Sequence, residues 1–302
     1  MTSNKDFYSK ESFHKNGFII IEDVLKKIEV SKIRDTLFLH FKELDKSFEN
    51  ISYVLESELA RLQFNDKILK SLRSVIGEEL VLVNDFNVQF NAYGVEGRTK
   101  GLHADCNSEF TPENKYLFSK EYQFGKVGIF FQDNTESMGG GIDVLVGSHK
   151  TFTKFRSSLM NYLYSRLFHK FHRLHNKRKI RVPIKAGSAV YFDSRLLHSS
   201  SSPRDLCVEG VFQPALVNEI AADMSKYTIY WEVCKPGNEK PFLKNSYKRA
   251  LLEQENGSED EKFFSEYTGF SYPEDYPFYY RSLVEKNNLS VASLKESLDI
   301  NC

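Results

Sequence analysis

Residues 186–198 read Ala186-Gly187-Ser188-Ala189-Val190-Tyr191-Phe192-Asp193-Ser194-Arg195-Leu196-Leu197-His198. Lys185-Ala186-Gly187 is a turn. The run Ser188-Ala189-Val190-Tyr191-Phe192 is too short, β-branched and aromatic for a helix, so it reads as a buried strand. Residues 180–184 form a strand on the other side of the turn. Beyond His198 a polar loop, 199–205, leads into a further strand at 206–213. The same texture extends upstream. Strands are expected at 80–83, at 86–91 with alternation, at 127–132 and at 142–146, separated by glycine breaks such as Gly94, Gly97 and Met138-Gly139-Gly140-Gly141.

The first eighty residues differ. A short helix at 5–17 ends on the cap Asn16-Gly17, and the strand Phe18-Ile19-Ile20-Ile21 follows. A helix at 26–44 carries Ile28, Val30, Ile33, Leu37 and Phe41 at helical spacing, and helical stretches follow at 54–62 and 68–76. Residues 153–179 are helix and loop. Helices first, then many short strands with glycine turns, predict a mainly β fold with helical cover, a sandwich or jelly roll. From residue 227 the composition shifts to Tyr, Phe, Pro and charge, with an acidic loop at 253–261. Residues 1–226 are therefore expected to form the main domain and 227–302 an aromatic-rich C-terminal extension packed on it.

One segment among these strands carries chemistry. Gly101-Leu102-His103-Ala104-Asp105 sets an imidazole and a carboxylate two residues apart, on one face if the chain is extended. They supply two of the three ligands of the two-histidine, one-carboxylate set that suits non-haem Fe(II). The third must be a distant histidine, and His198, closing a buried strand, is the candidate. Taken singly, His103 reads equally as a turn histidine and His198 as a loop histidine. Gln89 and Asn87, on the strand before the H-x-D, and Ser200, two residues past His198, are either ligand contacts or solvated strand positions. His149 reads as a loop-structuring residue and Asp133 as a turn cap.

Composition bounds the rest. The 302 residues are 41% apolar and 14% aromatic, enough for a substantial core. Lys plus Arg and Asp plus Glu number 41 each, so nothing global points to nucleic acid or an anionic membrane. Four scattered cysteines without C-x-x-C read as free thiols. With a polar start and no long apolar run, the expectation is a soluble cytoplasmic protein. The local exception is the basic segment 169–181. It is either a solvated helix face or a basic lid that recruits an anionic substrate such as a carboxylate, phosphate or thioester carrier; nucleic acid is the remoter partner. His169, His172 and His175 recur every third residue there, but no carboxylate or thiolate sits beside them to complete a second metal site.

Four blocks in order resemble the phytanoyl-CoA dioxygenase family of Fe(II)/2-oxoglutarate oxygenases. Phe13-His14-Lys15-Asn16-Gly17-Phe18 is similar to its N-terminal F-x-x-x-G motif, and His103-Ala104-Asp105 to its H-x-D. Gly139-Gly140-Gly141-Ile142-Asp143-Val144-Leu145-Val146-Gly147-Ser148-His149-Lys150 resembles N-G-P-L-x-x-x-P-G-S-H-K, with glycines at 139 and 141 for the family's Asn and Pro. Residues 186–198 resemble the block that ends in the distal histidine. The resemblance covers roughly residues 5–215, a domain-sized stretch. It implies a double-stranded β-helix (jelly roll, cupin-like) core, Fe(II) on His103, Asp105 and His198, 2-oxoglutarate as co-substrate, and hydroxylation of an unactivated C–H bond with release of succinate and CO2. The substrate class implied is a small or carrier-bound organic molecule. Asp105 stands where the chlorinating branch has a small residue, which favours hydroxylation over chlorination. The family's 2-oxoglutarate arginine usually lies on the strand after the distal histidine. Residues 206–213 hold no cation, so Arg204 becomes the expected anchor, with Gln89 and Ser200 as further co-substrate contacts. The alternative is a non-catalytic jelly-roll binding or scaffold protein of the same descent.

Overall fold

The computed structural model describes residues 7–44, 48–49, 58–90, 102–136, 139–201, 207–208, 211–212, 226–245 and 276–292. Eight strands matter to the site: β1 (Phe18–Ile21), β2 (Val81–Phe90), β3 (Phe124–Phe130), β4 (Ile142–Leu145), β5 (Lys179–Arg181), β6 (Ser188–Asp193), β7 (His198–Ser200) and β8 (Tyr227–Cys234). The large sheet runs β1-β6-β3-β8-β2, with Ser290–Val291 on the far edge of β2; the small sheet runs β5-β4-β7. The two sheets face each other as an open jelly roll.

The strands read as continuous apolar runs because the large sheet is covered on both faces. Side chains alternate across a strand. In β1, Phe18 and Ile20 point inward to meet Phe130, Phe192 and Tyr230 and, from the small sheet, Ile142 and Val144. Ile19 and Ile21 point outward, into a core that includes Ile129, Tyr191, Trp231 and the helices. Those helices are α1 (Lys10–Asn16), α2 (Lys27–Leu44), α3 (Asp66–Ile76) and, from the C-terminal part, α5 (Phe278–Lys286). The fourth, α4 (Ser158–Lys170), lies elsewhere and buries Asn161, Ser165 and Phe168. Asn65 caps α3 by accepting from the Lys67 and Ile68 N–H groups.

Gly17 closes α1 in the left-handed region at φ 90°, its N–H donating to Phe13 O at 2.7 Å. A Cβ there would also stand 2.6 Å from His149 Nδ1, so glycine is required twice over.

Several sequence expectations change. The strands expected at 80–83 and 86–91 are one: β2 pairs with β8 at both ends, over residues 81–83 and 87–90, across a register shift between Tyr230 and Glu232. The single strand expected at 206–213 is two short strands, Cys207–Val208 and Val211–Phe212, paired with each other. Ser199 and Ser200, expected in a loop, belong to β7. The described part of the helix expected at 54–62 is a 3-10 helix, Glu58–Phe64. Residues 227–234, placed at the start of the extension, are a central strand of the large sheet, hydrogen-bonded to β3 and β2. The acidic loop at 253–261 lies outside the described residues.

Candidate metal centre

His103 and His198 form an isolated antiparallel bridge. His103 N–H donates to His198 O at 2.9 Å, and His198 N–H donates to His103 O at 2.8 Å. This pairing sets the imidazoles side by side, ring centroids 4.6 Å apart. The extended geometry expected for the H-x-D stops at Ala104: Asp105 opens a 3-10 turn, Asp105–Glu109, tied to the β6–β7 loop by Cys106 N–H donating to Ser194 O at 3.2 Å. The turn still brings Asp105 Oδ1 to 3.9 Å from His103 Nε2 and 3.5 Å from His198 Nε2. Among the described residues, these three are the group of His, Cys, Asp or Glu side chains close enough to share a metal, their ligand atoms all within 4.8 Å of one another.

The tautomer of His198 follows from its surroundings. Nδ1 sits 3.0 Å from Leu196 O, and a carbonyl only accepts, so Nδ1 carries a proton and Nε2 is the ring nitrogen that faces Asp105. Phe192 packs against the same ring, centroids 4.6 Å apart.

Asp105 is held ionised. Burial would push its carboxyl up, but the Lys126 ammonium, 3.7 Å from Oδ2, and the two imidazoles hold it below the usual carboxylate range. Lys126 also stands 3.3 Å from Glu232 Oε1, forming a charged row Asp105–Lys126–Glu232, half-buried at the first two residues and buried at Glu232, that spans β3 and β8. Sequence reasoning missed Lys126 and Glu232. The available signal was a charge at an inward position of each apolar strand, which in a buried sheet demands a partner.

The loop that delivers His198 is anchored from below. Asp193 and Arg195, both buried, form a bidentate pair with Nε–Oδ1 at 2.8 Å and Nη2–Oδ2 at 2.7 Å. Arg195 also donates to the carbonyls of Leu117, Ser119 and Tyr122 at 3.1–3.2 Å.

Gln89 is half-buried on β2, its Cα opposite Thr228 of β8. Ser200 lies on β7 opposite Ile142, on the same face as His198. Arg204 lies outside the described residues. The strand that enters the large sheet after the distal histidine is β8, and the residue before it is Lys226. Lys226 is fully buried, its Nζ 3.4 Å from Gly141 O. Burial draws its ammonium down to about 8, with the Asp143 carboxylate acting the other way. By alternation it falls on the face of β8 that carries Tyr230, toward the interior between the sheets.

His149 packs on Gly17, away from the triad. Asp133 accepts from Ala186 N–H at 2.8 Å and so holds the turn before β6. The three periodic histidines do not converge. His169 packs tilted against Phe110 and edge-on to Phe152, His175 stacks on Phe168, and His172 bonds the His169 carbonyl.

Two facing sheets with the H-x-D bridged to a distal histidine describe a jelly-roll oxygenase. Residues 13–204 match the family described as Phytanoyl-CoA dioxygenase (PhyH), and the chain belongs to that family of 2-oxoglutarate-dependent dioxygenases. Among solved structures, the apo form of EctD from S. alaskensis is similar in fold, with TM-score 0.50 at 18% identity over 80% of this chain and 82% of that one. The nickel complex of the non-haem monooxygenase ThoJ gives TM-score 0.48 at 17% identity, over 76% of this chain and 77% of that one. SnoN, a non-haem α-ketoglutarate-dependent epimerase from nogalamycin biosynthesis, gives 0.46 at 14% identity, over 75% and 81%. A search of curated proteins returned no match.

Proposed function

We propose that this dioxygenase binds Fe(II) on His103, Asp105 and His198, uses 2-oxoglutarate, and hydroxylates an unactivated C–H bond of a small organic molecule. The observation that carries the reading is the convergence of these three ligand atoms within 4.8 Å in a chain of this family. The residues fit the metal: two imidazole nitrogens and one carboxylate oxygen on one side leave the opposite positions open. Held there, Fe(II) would supply the redox chemistry by which dioxygen oxidises both partners, 2-oxoglutarate to succinate and CO2 and the substrate C–H to C–OH, with one oxygen atom entering each.

The chain's own side chains have distinct tasks. Leu196 O fixes the His198 tautomer. Lys126 faces the second oxygen of Asp105, leaving Oδ1 for the metal. The far carboxylate of 2-oxoglutarate needs a cation shielded from water. Arg204 is one proposed anchor. Lys226 is a second, supported by its complete burial beside β8 and its place on the interior face. Gln89 and Ser200 are proposed to line the co-substrate's position. The substrate is proposed to be anionic or carrier-bound, from the surplus of cations at 169–181. The cytoplasm is the proposed compartment, supported by the buried free thiols of Cys106 and Cys234.

Anaerobic addition of Fe(II) and 2-oxoglutarate tests this through the visible charge-transfer band. The band is expected in the wild type and absent in His103→Ala. A rise in the 2-oxoglutarate concentration needed by Lys226→Met, with Arg204→Ala unaffected, assigns the anchor to Lys226; the converse assigns Arg204. No band from folded wild type would sink the oxygenase reading and leave the binding scaffold.

A further inference from the structure

Helix α4 is amphipathic the wrong way round. Its inner side, at Asn161, Ser165 and Phe168, is buried and two-thirds polar; its outer side carries Leu159, Leu163 and Leu167 every fourth residue, with Met160 beside them. Asn161 is fully satisfied inside, bonding both the N–H and the carbonyl of Phe155. The leucines are 57%, 45% and 57% exposed. Phe171 and Leu174 continue the stripe past the end of the helix. Of eleven exposed large hydrophobics among the described residues, seven fall between Phe155 and Leu174. Scattered apolar residues are ordinary, but a contiguous stripe marks an interaction surface.

The charge around the stripe selects its partner. Between Asp143 and Asp193 the chain carries eleven Lys and Arg residues and no Asp or Glu. The neutrality of the whole chain hides this segregation. Arg166 and Lys170 lie on α4 itself, and Lys154, Arg156, Lys177 and Arg178 flank it. Lys179 and Arg181 pair with Asp143, but among the described residues those six have no acidic partner. Beside α4 lies a cavity of about 660 Å³ whose lining includes Lys150, Lys154 and Arg178; its one acid, Asp193, is taken by Arg195. A second copy of this face would meet it with the same charge. Nucleic acid would leave the leucines uncovered. An anionic lipid surface satisfies both halves, with apolar side chains at the acyl boundary and cations among the headgroups.

We propose that α4 and the segment after it form an interfacial docking surface for an anionic lipid bilayer, lying in the membrane plane. No described helix is long and apolar enough to cross a membrane, and docking of this kind needs none. Flotation of the full chain with vesicles tests it, comparing phosphatidylcholine alone with roughly one-third phosphatidylserine. The wild type is expected to float only with the anionic vesicles and to detach in about 0.5 M salt, where the screening length is only a few ångströms. Leu163→Glu with Leu167→Glu, and separately Arg166→Glu with Lys170→Glu, are each expected to lower the partition coefficient about tenfold or more. All four side chains project from the surface, so circular dichroism should be unchanged. Wild type that ignores both vesicle types overturns the proposal. So does attachment that survives the leucine substitutions, or a concentration-dependent dimer that they dissolve, or oligonucleotide binding that they leave intact.

Discussion

Replacing Arg195 with methionine should be among the most damaging single changes to this fold. The guanidinium makes five hydrogen bonds: two to Asp193 and three to the carbonyls of Leu117, Ser119 and Tyr122. The Arg195 and Asp193 side chains are 7% and 4% exposed. Burial pushes the Asp193 carboxyl up, yet the Arg195 charge and hydrogen bonds hold it below the usual carboxylate range, so both groups are ionised. Removing one partner strands a buried charge at about 3–5 kcal/mol. The orphaned carbonyls of Leu117 and Tyr122 add about 1 kcal/mol more. The expected loss, about 5 kcal/mol, rivals the whole stability of many domains. Urea denaturation followed through the buried Trp231 measures it, in a cycle with Asp193→Leu. The double variant should lose about 2 kcal/mol or more less than the sum of the singles. A loss under about 1 kcal/mol for Arg195→Met, or additivity within about 0.5 kcal/mol, would refute the account.

Two further outcomes follow from buried charge. His149 is neutral in the fold, burial drawing its imidazole from 6.5 down to about 4. The unfolded chain takes up that proton first as pH falls, so the contribution is whole above pH 6.5 and fades as pH drops toward 4. About 2 kcal/mol should go between pH 7.5 and 5; urea midpoints of His149→Phe should lack that component, and equal slopes in both proteins would count against it. Lys126→Met should destabilise by about 3 kcal/mol by taking the cation from Glu232 and Asp105, and adding Glu232→Gln should restore at least half in the same assay.

How much of this was legible depended on whether a signal was local. Strands β1, β4 and β6 announce themselves through short β-branched runs bounded by glycine. The grouping of His103, Asp105 and His198 was legible because H-x-D brings two of the residue types and a histidine closes the strand pattern, although the turn at Asp105 was not foreseen. Strand β8 was hidden by its own chemistry: Tyr, Trp and Glu232 resemble a mixed tail until Lys126 is known to lie opposite. Lys226 was unreadable for a related reason, since its meaning depends on which later segment returns to the sheet. The reversed polarity of α4 was equally silent, because helical spacing shows two faces without saying which is inside.

The position of β8 in the large sheet also sets the order in which the molecule can close. Both neighbours, β3 and β2, are synthesised long before it, and until it arrives their facing edges are open rows of unpaired amides and carbonyls. A nascent chain that has just finished the histidine-bearing strand holds every ligand of the proposed iron site and the strands β1, β2, β3 and β6, but not the one that joins β3 to β2. Pairing over such sequence distance is slow and leaves sticky edges exposed meanwhile. Residue 226, which composition marks as a natural place to stop, is thus a poor place to end the polypeptide: one residue later begins the strand that turns two separate ribbons into a continuous sheet.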